Sequence, residues 1–187
     1  MLQEIIIAGF GGQGVMSIGQ LLAYAGMLEE KQVAWIPSYG PEMRGGTANC
    51  MVTVSSKKIS SPIVTEPNTV IAMNIPSLIK FEPTLVKDGL LLINSSLINQ
   101  KPTRDDIHVY EIPANNIANK LGNLKMANMV MLGAYLGLTG VVSFDAIIAS
   151  LRKAFPNWSD KIINLNKCAL EAGAEIVIPK QSYKKLG

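Results

Sequence analysis

Nothing in this chain restricts its fold more than its first thirty residues. The apolar run Ile5-Ile6-Ile7-Ala8 leads straight into Gly9-Phe10-Gly11-Gly12-Gln13-Gly14. Apolar residues then recur at Val15, Ile18, Leu21, Leu22, Ala25 and Leu28. That recurrence has the period of a helix and predicts one to about Glu29, laid by one face on a sheet. A strand that turns through glycines into a helix gathers bare backbone N–H groups and the positive end of a helix dipole at one point. Such a point suits an anion such as a phosphate. Gly9, Gly11 and Gly14 also satisfy G-x-G-x-x-G in the strand–turn–helix context that gives this pattern meaning.

The next segment argues against a dinucleotide. Gln32 to Ile36 reads as the second strand, which Pro37 is expected to end. A dinucleotide-binding unit would close this strand with Asp or Glu to hold the ribose hydroxyls. Ile36-Pro37-Ser38 stands there instead, and Glu29 and Glu30 precede the strand, so an NAD-dependent dehydrogenase is disfavoured. Ser38-Tyr39-Gly40-Pro41-Glu42-Met43-Arg44-Gly45-Gly46 follows, a loop that sets Tyr39, Glu42 and Arg44 among glycines. Arg44 and Glu42 could meet an anionic ligand, a partner subunit or each other. Thr47 to Ser55 alternates as a strand, with Ala48, Cys50, Val52 and Val54 on one side. So short a connection favours antiparallel pairing, because a parallel crossover needs a dozen or more residues.

Further along, Thr69–Met73, Leu90–Asn94 and His108–Ile112 read as strands, the last two as buried parallel ones. Ile75–Phe81 is a short helix with Pro76 in its first turn. Helical spacing recurs over Asn115–Leu121, Ala127–Leu138, Asp145–Ala154 and Asp160–Ile176, with Ser143 and Ser159 as N-caps. Met126, Met129 and Met131 suit a core face, and Gly133, Gly137 and Gly140 permit close helix packing. His108, at a strand start, reads as structural. The expected fold is α/β: an open, mostly parallel sheet with a Rossmann-like first β-turn-α unit, an added antiparallel strand and a helical C-terminal part. A single domain over residues 1–178 with a tail at 179–187 is expected, since 187 residues make one unit with a substantial core.

Composition narrows the function classes. With 48% hydrophobic and only 17% charged residues the chain is more apolar than most soluble domains, as a surface hidden against a partner would explain. A net charge of +3 and 6% aromatic residues do not make a nucleic-acid site. No long apolar run or basic leader supports a membrane span or export, so a cytoplasmic protein is expected. Cys50 and Cys168 read as buried free thiols. There is no Cys-x-x-Cys, Gly-x-Ser-x-Gly or Gly-Lys-Ser/Thr, so no iron–sulfur cluster, metal or catalytic residue is assigned to this chain. Asp88-Gly89 and Asn115-Asn116 imitate a thiamine-enzyme signature, but Lys87 replaces its first glycine and Asp88 precedes its strand, so Asp88-Gly89 reads as a turn.

Taken together, Ile7 to Val15 and Ser38 to Cys50 resemble the gamma subunit of 2-oxoacid:ferredoxin oxidoreductases, over nearly the whole chain to about Ile178. The form Ser-Tyr-Gly-Pro-Glu-Met-Arg-Gly-Gly is most similar to 2-oxoglutarate and branched-chain (ketoisovalerate) types. The resemblance implies alpha, beta and ferredoxin-like delta partner subunits that bring thiamine diphosphate, magnesium and iron–sulfur clusters. It implies ferredoxin as electron acceptor and coenzyme A as acyl acceptor, with no cofactor bound by this chain alone. Gly11, Gly12, Gln13 and Gly14 would then be backbone donors on the coenzyme A side of the site. Arg44 would contact phosphate or a neighbouring subunit, with Tyr39 and Glu42 in the same loop. A stand-alone nucleotide- or anion-binding module remains the alternative.

Overall fold

The structure, a computed structural model, describes residues 1–40 and 46–177. Six strands form one sheet: β1 (Leu2–Phe10), β2 (Gln32–Tyr39), β3 (Thr47–Ser55), β4 (Thr69–Ala72), β5 (Leu90–Asn94) and β6 (His108–Ile112), in the order β2-β3-β1-β4-β5-β6. β1, β4, β5 and β6 pair in parallel, and β3 runs antiparallel to both β1 and β2. The antiparallel addition expected from the short connection is therefore present, as the inner neighbour of β1.

The helices are α1 (Val15–Leu28), α2 (Ile75–Phe81), α3 (Ala114–Lys120), α4 (Ala127–Thr139), α5 (Phe144–Ala154) and α6 (Asp160–Val177). Alternation along β1 divides the core. Ile5 and Ile7 face α1, α4 and α6, whereas Ile6 and Ala8 face Leu78 and Phe81 of α2. Each such isoleucine fully withdrawn from water contributes about 1.5–3 kcal/mol. Since α1 follows β1 onto one face and α2 follows β4 onto the other, the β1/β4 boundary is the switch point of the sheet, where open α/β folds gather ligands.

Ten of the thirteen residues of α4 are buried, Met129 and Met131 among them. Its partner α6 approaches so closely that a Cβ on Gly133 would overlap the Leu170 carbonyl oxygen, and one on Gly173 that of Val130. Ser143 caps α5 by accepting from the Ala146 N–H at 3.1 Å. That loop is tied to the end of α1 by Glu29, which accepts from the Ser143 N–H at 2.7 Å and pairs with Lys31 at 2.6 Å. Glu82, 4% exposed, accepts from the Thr103 and Arg104 N–H groups and so shapes the approach to β6.

Three expectations need correction. β2 continues through Pro37 to Tyr39, because an edge strand has a flank that needs no N–H donor. β6 is mostly exposed, since it closes the opposite edge of the sheet and has one strand neighbour. Cys168 is exposed on α6, while Cys50 is buried. No helix among the described residues is long and apolar enough to cross a membrane.

Candidate functional site: the glycine loop and its hairpin

At the C-terminal end of β1 the chain bends through Phe10-Gly11-Gly12-Gln13, where the Gln13 N–H donates to the Phe10 carbonyl at 3.1 Å. Gly12 and Gly14 adopt φ of 94° and 75°, the left-handed region that glycine enters without penalty. At Gly14 a side chain would also run into Asn128 of α4, whereas around Gly12 there is open space. Gly14 caps α1 with no side-chain hydrogen bond, and the first turn of α1 contains no acidic residue. The positive end of α1 thus keeps its potential for an outside anion.

Gln13 turns inward, which its position between two glycines gave no sign of. Its Oε1 accepts from the Phe10 N–H at 2.7 Å and from Asn74 Nδ2 at 3.1 Å, and its Nε2 donates to the Met73 carbonyl at 3.3 Å. Asn74 in turn caps α2 by accepting from the Ser77 N–H at 2.9 Å. The Gln13 carboxamide therefore bridges β1 and β4 across the switch point, where the ligand of a dinucleotide-binding fold would sit.

The hairpin between β2 and β3 stands beside this loop. Tyr39 pairs with Ala48, and Phe10 of β1 pairs with Thr47. The Gly11 N–H donates to the Gly46 carbonyl at 2.9 Å, and the Gly40 N–H to that of Thr47 at 2.7 Å. Gly11 and Gln13 have thus committed their N–H groups. Among the described residues, those of Gly12 and Gly14 meet no backbone acceptor. Tyr39 is 69% exposed and Phe10 36%. Glu42 and Arg44 lie outside the described residues.

The thiols and the thiamine-like residues are dispersed. Cys50, in β3, is buried, and burial pushes its thiol up to about 12 despite hydrogen bonds involving Trp35 and Gly19. Cys168 is on α6, so the two do not fit a cluster. Asp88, with φ of 60°, precedes β5, and Asn115 follows β6, which puts them at opposite ends of these parallel strands. The turn expected at Asp88-Gly89 is closed by the Gly89 N–H donating to the Val86 carbonyl at 3.1 Å. His108 is exposed at the first position of β6. What the rim beyond β1 offers chemically is backbone donors and an apolar, aromatic margin.

Residues 4–176 match the family of pyruvate ferredoxin/flavodoxin oxidoreductases. This chain belongs to that family. The ketoisovalerate oxidoreductase subunit VorA of Methanothermobacter thermautotrophicus is 40% identical over 174 residues, covering 92% of this chain and 36% of VorA. The chain therefore spans about a third of the length of that relative. The 2-oxoglutarate synthase subunit KorC of Methanothermobacter marburgensis is 34% identical over 97% of this chain and 100% of its own length. Among solved structures, the gamma subunit of a keto/oxoacid ferredoxin oxidoreductase from Geobacter sulfurreducens shares the fold with a TM-score of 0.78. It is 29% identical, covering 94% of this chain and 98% of that one. Family membership agrees with the paired motifs at Ile7–Val15 and Ser38–Cys50.

Proposed function

We propose that this chain is the gamma subunit of a 2-oxoacid:ferredoxin oxidoreductase acting on a 2-oxoacid of the 2-oxoglutarate or branched-chain type. In this reading the other subunits supply thiamine diphosphate, magnesium and iron–sulfur clusters. They decarboxylate the substrate and pass its electrons to ferredoxin, and the acyl group leaves on coenzyme A. This chain contributes the rim built from the glycine loop and its hairpin. The free N–H groups of Gly12 and Gly14 and the uncapped start of α1 receive a phosphate of coenzyme A. Tyr39 extends the rim toward that ligand or the adjoining subunit, and in this reading Glu42 and Arg44 serve the same ligand or subunit.

The observation that carries the proposal is the Gly11-to-Gly46 hydrogen bond, which joins two motifs 35 residues apart into one surface in a chain of this family. The test is to recover the chain from its source with whatever accompanies it, then to reconstitute the complex with Arg44→Ala. Recovery of subunits bearing thiamine diphosphate and clusters, with an Arg44→Ala variant that folds but loses coenzyme A-dependent turnover or assembly, is expected. Recovery alone, or unchanged kinetics and assembly, would refute it.

A further inference from the structure

The opposite end of the sheet holds a second feature that the glycine loop does not explain. A cavity of about 470 Å³ opens there, within the size range of small-molecule sites. Its lining comes from the start of β1, the end of β3 and the segment that follows: Leu2, Glu4, Thr53, Ser55, Lys57 and Lys58, with Met1, Ile59 and two serines at the margin. The register of β1 on β3 sets Glu4 directly across from Thr53, and Leu2 across from Ser55, all four on the sheet face away from α1. Roughly 20 Å of strand separates Glu4 from the glycine loop, at about 3.3 Å per residue.

Two members of this lining are unsatisfied by the chain itself. Thr53 is 1% exposed, and its Oγ1 has no hydrogen-bond partner. Burying a hydroxyl in that condition is destabilising. Glu4 stands half-buried near the start of an interior strand, yet among the described residues no cationic nitrogen lies within 4.0 Å of its carboxylate. Ser55, by contrast, is occupied: its Oγ accepts from the Lys57 N–H at 3.0 Å and contacts the Met1 carbonyl at 3.4 Å. The Glu4 carboxylate and the buried Thr53 hydroxyl, on residues paired across β1 and β3, call for an ammonium group. Lys57 and Lys58, exposed residues of the lining, carry ammonium groups that call for an anion, and Met1, Leu2 and Ile59 add apolar surface to it.

We propose that this cavity is a binding site for a small aliphatic zwitterion of the α-amino acid class. The ligand's ammonium group meets Glu4 and Thr53, its carboxylate meets Lys57 and Lys58, and its side chain lies on Leu2 and Ile59. The site is independent of the glycine loop, so its failure leaves the proposed subunit role untouched, and failure of that role leaves this site standing.

The test is calorimetric titration of the full chain with L-leucine, isopentylamine and 4-methylpentanoate, the last two each lacking one charge. L-leucine should saturate, with each half-charged analogue at least tenfold weaker. Glu4→Gln should weaken L-leucine at least tenfold and Thr53→Val several-fold. Because the Thr53 hydroxyl has no partner, Thr53→Val should keep or raise the melting temperature, which separates lost binding from lost folding. No saturation by L-leucine at concentrations on the order of 10 mM, equal binding of either analogue, or Glu4→Gln binding as well as the parent would each overturn the proposal.

Discussion

Replacing Gly133 with alanine should force two helices apart. A Cβ at this position would overlap the Leu170 carbonyl oxygen and stand 2.6 Å from the Leu170 carbonyl carbon, where ordinary contact begins at 3.4 Å. The obstacle is main chain, so no rotamer change relieves it, and α4 and α6 must separate by close to an ångström. A gap of about 0.5–1 Å forfeits a quarter to a half of each dispersion contact along the seam. Overpacking of this kind costs about 1–3 kcal/mol or more, and the gain from removing a mid-helix glycine offsets only about 1 kcal/mol of it. We expect a net loss of about 2 kcal/mol, which for a chain of this size lowers the melting temperature by about 4–8 °C. Gly173→Ala should act alike, since its Cβ would overlap the Val130 carbonyl oxygen in the same crossing. The double variant should lose less than the sum by about 0.5 kcal/mol or more, because helices already parted have room for the second methyl. Urea and thermal unfolding followed by circular dichroism measure all three. A Gly133→Ala variant as stable as the parent, or strictly additive losses, would refute the reasoning.

Gln13→Ala removes a carboxamide that makes three hydrogen bonds, one to Phe10 at the end of β1 and two to Met73 and Asn74 across the switch point. It should cost about 2–3 kcal/mol, at roughly 1 kcal/mol for each bond. Hydrogen exchange at the Phe10 amide should accelerate while α4 and α6 stay protected. Unchanged exchange there would show that the loop holds its shape without Gln13. A second expectation concerns acid. Burial opposes ionisation of Glu29 as the largest single influence, but hydrogen bonds from Lys31 and Ser143 together outweigh it, and its pKa falls below the ordinary 4.5. A depressed carboxylate stabilises the fold above its unfolded pKa and loses that contribution as pH drops through the folded value. The stability advantage of the parent over Glu29→Gln should therefore be constant from neutrality to about pH 5 and shrink below pH 4.5. An advantage that persists undiminished at pH 3 would contradict the assignment.

Local pattern carried much of the fold. The β1-turn-α1 unit and the inward face of β3 were legible because each is written in a few consecutive residues with a single period. The antiparallel course of β3 was legible from loop length alone. What escaped depended on lateral position. Pro37 looks like a terminator unless β2 is known to lie at an edge, and Val109 and Tyr110 look buried until β6 is seen to close the sheet. The inward turn of Gln13 depends on Met73 and Asn74, sixty residues away, and Glu82 holds a loop twenty residues downstream. At the site, a shared role for the two glycine-bearing motifs was readable through the family resemblance. The expenditure of the Gly11 and Gln13 N–H groups on internal bonds was not.

The insertion of β3 between β1 and β2 carries a geometric consequence for ligand choice. Adjacent strands lie about 4.8 Å apart, so β2 stands two spacings, about 10 Å, from β1 rather than one. An acidic residue grafted at Ser38 would hang a strand's width too far out to hold a ribose whose diphosphate rested on Gly12 and Gly14. Discrimination against adenine dinucleotides is thus written into strand connectivity, and no point substitution at the end of β2 can undo it.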